Sequence, residues 1–355
     1  MTLLVVLAMA LPLALAAAVW RMSRGWGRGI VTIVGVLVCQ GLAVIAAGVV
    51  ANDQFGFYNS WNDLLGQGTG APQTPTPNGL VPKGQGSVVS VSVPLPADTG
   101  ARGGGAGASM GVLVWLPREY EQPQYQQTKF PVVMMMPGQP GTPQGVFRQF
   151  NFGAQATQAI ERHQVKPFIA VFPPLMIAPP RDTECTDVPQ GPQAETWMFH
   201  IVRSAVLKSF RATADGKQWS AMGWSTGGFC AAKLLLRHPA LFHAAVGFGA
   251  YYGAETDKST GDLFKGSQRL RNENSPILLI QRPRSEPARL LIIVSRLDRA
   301  SYDGRFYADT KKMIEASRGV PGVATLVLPK GGHNYKVYRS TVPQALTWLG
   351  QNAGL

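Results

Sequence analysis

Two long apolar runs open the chain. Thr2 to Trp20 and Gly29 to Ala51 carry no charged side chain, and each approaches the roughly 20 residues a bilayer-crossing helix needs. The pattern predicts two transmembrane helices, with residues 1–52 as an anchor. Reading the first run as a cleaved secretory signal is opposed by Met1-Thr2-Leu3-Leu4, which lacks a basic n-region, and by the second apolar run that follows directly. Arg21, Arg24 and Arg28 lie between the runs with no acid beside them. The positive-inside rule therefore puts that loop in the cytoplasm and everything after Ala51 outside.

Asp53 to Trp61 contains Phe55, Phe57, Tyr58 and Trp61, aromatic side chains that favour the headgroup level. Gly66 to Gly86 is rich in Gly, Pro, Thr and Gln, a composition that cannot bury a core and reads as an extended linker. Residues 53–86 are thus expected to separate the anchor from a domain at 87–355.

From Ser87 the period shortens. Val88, Val89, Val91 and Val93 predict one strand, and Val112 to Leu116 another after the turn Gly100 to Gly107. Short apolar runs then alternate with helical periods: strand Val132 to Met136, helix Gly153 to Arg162, strand Phe168 to Phe172, helix Ala194 to Phe210. Beyond these come a short strand at Gln218 to Met222, a helix at Phe229 to Leu236 and strands at Ala244 to Phe248, Leu290 to Val294 and Ala324 to Leu328. Helices are predicted near Arg305 to Ala316 and Val337 to Leu349. Such alternation implies an α/β domain with a mostly parallel sheet covered on both faces, opened by an antiparallel hairpin.

The formal net charge is +13, of which the three loop arginines precede the first acid, so +10 falls after the anchor. A basic external domain is drawn to anionic lipid headgroups or wall polymers, though the charge also serves simple solubility. Nucleic acid is disfavoured as a partner by the topology. Cys39 falls in the second apolar run, which leaves Cys185 and Cys230 in an oxidising compartment. A disulfide between them would tie a loop to the helix that follows residue 225; two buried free thiols are the alternative.

The chemistry centres on Gly223-Trp224-Ser225-Thr226-Gly227-Gly228. A G-x-S-x-G core between a short strand and a helix is a nucleophile elbow, a sharp turn that holds the serine hydroxyl above a sheet. That hydroxyl needs a histidine to take its proton and an acid to hold the imidazole. Of five histidines, His333 follows the last strand and precedes the last helix. His200 lies mid-helix, and His238 and His243 belong to a helix end, where capping or packing accounts for them. Asp298, four residues past Val294, is the preferred acid; Asp303, five further on, is the alternative acid or a helix cap. The oxyanion needs two preorganised N–H donors. Thr226 supplies one, and Gln139 in Pro137-Gly138-Gln139-Pro140-Gly141 the other, since Pro140 has no N–H. Asp182, Glu184, Cys185 and Asp187 form an acidic cluster without a paired-histidine pattern. No metal site is predicted from it; it reads as a loop gating the pocket or a solvated turn. This chemistry calls for no cofactor.

On Pro131 to Gln139, Met222 to Cys230, Arg237-His238-Pro239 and Gly331-Gly332-His333-Asn334, the region from Ser87 to Leu349 resembles the esterase D and mycolyltransferase branch of the α/β-hydrolase superfamily, which includes enterochelin-esterase-like proteins. The two-helix anchor resembles that of membrane-bound actinobacterial esterase-family proteins. The resemblance implies an α/β-hydrolase fold and an acyl-enzyme mechanism on Ser225, Asp298 and His333. Pro137-Gly138 departs from the His-Gly or Asp-Gly of many relatives, and the mycolyltransferases use glutamate as the acid. Three readings follow: an extracytoplasmic serine esterase, an acyltransferase passing the acyl group to a sugar or lipid alcohol, and an inactive envelope-binding protein on a hydrolase fold. The expected substrate is an ester, with envelope lipids or glycolipids as candidates; oligomeric state is not legible.

Overall fold

A computed structural model describes residues 25–55, 81–82, 84–96, 108–298 and 306–355, with positions 17, 20 and 21. The rest of the first apolar run, most of the 53–86 segment, the Gly100 to Gly107 turn and Asp303 lie outside the described residues. Contacts divide the chain into Met1–Gly56 and Phe57–Leu355.

In the first unit, α1 (Trp26–Phe55) is the one helix among the described residues long and apolar enough to cross a membrane, over Gly29–Val49. Ile30, Ile33, Val34, Leu37, Val44 and Ile45 are all exposed along it. Val36, Val38 and Val49, also exposed, widen the stripe they form to more than half of the helix circumference, which sets α1 apart from an amphipathic surface helix.

The second unit is built on eight strands: β1 (Ser87–Pro94), β2 (Ser109–Leu116), β3 (Val132–Met136), β4 (Ile169–Phe172), β5 (Trp219–Trp224), β6 (Ala244–Phe248), β7 (Arg289–Ser295) and β8 (Val323–Leu328). They lie in the order β1-β2-β4-β3-β5-β6-β7-β8. β1 pairs antiparallel with β2, and β2 with β4, while every other pair is parallel. Strands β3 to β6 are buried along their whole length, as continuous apolar runs in a sheet covered on both faces should be. Successive residues of β3 enter opposite cores: Val132, Met134 and Met136 join one cluster, Val133 and Met135 the other. Each fully buried side chain of this size contributes about 1.5–3 kcal/mol against exposure.

The described helices of this unit are α2 (Pro143–Gln149), α3 (Phe152–Glu161), α4 (Arg203–Ser209), α5 (Thr226–Arg237), α6 (Gln268–Glu273), α7 (Pro276–Leu279), α8 (Phe306–Ala316), α9 (Tyr335–Arg339) and α10 (Val342–Ala353). The helix expected over Ala194 to Phe210 is continuous but passes through π geometry at Trp197–Val202 before α4. The single terminal helix expected near Val337 to Leu349 is instead two helices. Pro343 lacks an N–H and occupies the first turn of α10, which starts a new helix rather than continuing the old one. α2 is absent from the sequence expectation although its signal is present: the Thr142 hydroxyl accepts from the Gly145 N–H at 3.0 Å, with Pro143 at the first position.

The chain leaves β3 for β4 on one side and returns to β5 on the other. The sheet therefore has its topological switch between β3 and β5, the place where open α/β sheets hold their ligands.

Candidate active site

Register places the site. Met136 pairs with Gly223 at the carboxyl ends of β3 and β5, so Pro137-Gly138-Gln139 leaves β3 beside the turn that carries Ser225. Ser225 sits at φ 55, ψ −120, a region costly for a side chain with a Cβ, of order 1–3 kcal/mol, and held only where surroundings enforce it. They do so here. A Cβ on Gly223 would lie 2.0 Å from the Gly227 carbonyl carbon and oxygen, so the strand can meet the helix this closely only with glycine there. On the other side, a Cβ on Gly138 would fall 2.8 Å from Trp224 Cδ1 and 3.1 Å from Ser225 Cβ. The β3 turn thus packs directly onto the serine.

Loops after β7 and β8 bring the other two groups. Ser225 Oγ is 3.1 Å from His333 Nε2, and His333 Nδ1 is 3.0 and 2.9 Å from Asp298 Oδ1 and Oδ2. A carboxylate only accepts, so the tautomer that satisfies both contacts carries its proton on Nδ1 and leaves Nε2 to accept the serine proton. Asp298 is fully buried and Ser225 only 9% exposed. Asp303, the alternative acid, lies outside the described residues.

Among the described residues, the backbone N–H groups of Gln139 and Thr226 donate to no backbone carbonyl. Thr226 opens α5, where the first N–H groups have no intrahelical partner and the helix dipole favours negative charge. The Gln139 side chain reaches Met176 Sδ at 3.8 Å.

Sequence reasoning missed several groups around this core. Trp224, the variable residue before the serine, stacks on the His333 imidazole with centroids 4.1 Å apart and planes 28° apart. Tyr335 and Tyr338 of α9 pack against the same indole. The only signal was aromatic clustering after His333, which reads equally as core.

The acidic cluster corrects an expectation. Asp182 and Glu184 are buried, not in a solvated turn. Cys185 and Cys230 are joined by a disulfide, with Cα atoms 6.0 Å apart, and this ties the loop to α5. Lys233, fully buried on α5, reaches the same loop through the carbonyls of Glu184 and Cys185 and the Thr186 hydroxyl, each at 2.9 Å, and also bonds Asn274 at 3.0 Å. Burial pushes the Glu184 carboxyl well above the ordinary carboxylate range, with Asp182 adding to it, and burial raises Asp182 to about 6. Tyr251 donates to Glu184 at 2.6 Å and also hydrogen-bonds the Thr226 side chain. The loop is thereby linked to the first residue of α5.

Lys233 also lies 3.5 Å from Glu195, which accepts from Arg237 at 2.8 Å and meets His238 Nε2 at 2.7 Å. This gives Arg237-His238 a structural role: both converge on one buried carboxylate. Burial raises that carboxyl, but Lys233, His238 and Arg237 outweigh it and hold it at about 2. Its ordinary value is 4.5, so its stabilisation is complete above that pH and is lost as pH falls through about 2. Glu195→Gln is therefore expected to flatten the acid limb of a Tm-against-pH curve between pH 4.5 and 2. An acid limb identical to the wild type would assign acid unfolding to other carboxylates.

Residues 104–349 match the Esterase family model. An uncharacterised protein of Corynebacterium glutamicum is 24% identical over 269 residues, or 75% of this chain; the chain spans 62% of that relative's length. Among solved structures, a ferulic acid esterase superposes with TM-score 0.62 at 19% identity, covering 76% of this chain and 99% of its own. An S-formylglutathione hydrolase from Agrobacterium tumefaciens does so with TM-score 0.62 at 15% identity, covering 77% and 98%. At these identities the likeness is one of fold, the α/β-hydrolase arrangement of sheet and helices.

Proposed function

Because the chain belongs to the Esterase family, we propose that it is a serine esterase in which Ser225 attacks an ester carbonyl. His333 takes the serine proton and delivers it to the leaving alcohol. Asp298 holds the imidazole and stabilises its charge, and the Gln139 and Thr226 N–H groups receive the oxyanion. The observation that carries this reading is the hydrogen-bonded line from Ser225 Oγ through His333 to buried Asp298, at 3.1 and 2.9 Å. The strained serine backbone supports it, because that conformation has no use in a scaffold. The inactive envelope-binding alternative has no such use for it either.

The acyl-enzyme can pass its acyl group to water or to an alcohol, and the first half-reaction is common to both. We place the catalytic domain at residues 87–355, outside the membrane, behind a linker and a two-helix anchor at 1–52 in which α1 is the second span. Its basic charge fits a substrate at an anionic lipid or wall surface.

A fluorophosphonate probe tests the chemistry. Covalent labelling of the full chain at Ser225 is expected, and a purified, folded protein that stays unlabelled where a known serine esterase reacts would defeat the reading. Product analysis with envelope lipid extracts, with and without an added sugar or lipid alcohol, then separates hydrolysis from transfer: free acid marks the first, a new ester the second.

A further inference from the structure

We propose that Tyr338 is a positioning residue for the proposed acid, setting both the place of Asp298 and the strength with which it holds His333. The inference rests on reading Asp298 and His333 as acid and base. The Tyr338 phenol donates to Asp298 Oδ2, the oxygen that lies 2.9 Å from His333 Nδ1. The same phenol oxygen accepts the Ser295 backbone N–H at 3.0 Å. Ser295 ends β7, three residues before the carboxylate. One hydroxyl therefore joins the strand end, the acid and α9, of which Tyr338 is the fourth residue.

The ring is fixed as firmly as the hydroxyl. Tyr338 is fully buried, lies 4.9 Å from the Trp224 indole and 6.4 Å from the imidazole, edge to face. Rotating it away would open a void beside the stacked Trp224 and His333. A donor so constrained holds Asp298 in one orientation without being able to follow it elsewhere.

The electrostatic consequence has a definite sign. A neutral donor spreads part of the carboxylate charge and weakens its pull on a protonated imidazole. Removing the donor concentrates that charge, favours the imidazolium and moves the onset of base catalysis to higher pH. Burial first, and then the Asp298 charge, push the phenol well above its ordinary range, so it remains a donor throughout. Among the described residues, the titratable side chains around the carboxylate are His333 from the β8 loop and Tyr338 from α9. Tyr252 acts electrostatically on Tyr338, and among the described residues of α8 the Tyr307 backbone N–H reaches the Asp298 carbonyl, at 3.2 Å.

The rate of fluorophosphonate labelling against pH reads this without knowledge of the natural ester. Tyr338→Phe keeps the ring and is expected to move the midpoint about half to one pH unit alkaline. The rate below the midpoint should fall about 3- to 10-fold, with the high-pH plateau much less affected. Tyr335→Phe, which removes a hydroxyl from the same helix without touching Asp298, should leave the midpoint in place. Site-specific 3,5-difluorotyrosine at 338 preserves the ring and strengthens the donor, so it should move the midpoint the opposite way. This second substitution keeps the test valid if the phenylalanine variant fails to fold. A midpoint that stays fixed, or that moves alike in the Tyr338 and Tyr335 variants, overturns the positioning role. Wild-type protein that never labels would instead sink the esterase reading beneath it.

Discussion

Ser225→Ala is expected to abolish fluorophosphonate labelling and to lower kcat/KM for an activated ester by about six orders of magnitude, with Asp298→Asn lowering it by about 10⁴. The two losses have different origins. Without Oγ there is no nucleophile, and only binding and the oxyanion donors remain. With Asn at 298, the amide N–H₂ can turn toward Nδ1, which makes that nitrogen the acceptor and puts the imidazole proton on Nε2, facing the serine. His333 could then no longer accept the serine proton, although every atom would be nearly in place. The fit between Asp298 and its neighbours makes the outcome sharp: both carboxylate oxygens lie within 3.0 Å of Nδ1, and Oδ2 also accepts from Tyr338. Asp303→Asn provides the contrast, since with Asp298 as the acid it should change kcat/KM less than about threefold. A large loss in Asp303→Asn with a small one in Asp298→Asn would move the acid to 303 and require the β7 loop to rearrange.

The second large effect concerns the fold. Lys233→Met should destabilise the domain by about 3–5 kcal/mol, because it breaks a buried ion pair from one side only. In a domain of this size that corresponds to a fall in Tm of roughly 10 °C. Glu195 would keep Arg237 and His238. The carbonyls of Glu184 and Cys185, the Thr186 hydroxyl and the Asn274 side chain would each lose the same donor. Methionine matches the aliphatic stem closely, so a cavity is not the cause and the cost lies in unsatisfied polar groups. Thermal unfolding under non-reducing conditions checks this, because the disulfide then holds the loop to α5 in both proteins. A Tm within about 2 °C of the wild type would show that water replaces the ammonium.

Local rules account for much of the molecule. The runs at Val132 to Met136 and Ala244 to Phe248 form strands with those bounds, since continuous apolar stretches bounded by turns have few other ways to be buried. The elbow was legible because only glycine tolerates the approach at 223. Lys233 could also have been noticed, as a lone charge in Phe229 to Leu236, but nothing local says whether such a lysine faces water or a buried carboxylate. The break at Ser340 and Thr341 was written in Pro343, whose helix-starting effect outweighed the apolar period running across it.

The order of elements, the serine turn and the candidate partners on the loops after β7 and β8 follow from composition and spacing, because turn geometry and strand burial act over a few residues. Which groups meet does not. That Asp298 reaches the imidazole, that Tyr338 caps this carboxylate, that Trp224 stacks on His333 and that Lys233 closes over the Cys185 loop are contacts between residues 35 to 109 positions apart. Most of them depend on strand order and register in the sheet, and a run of residues encodes neither until its neighbours are in place.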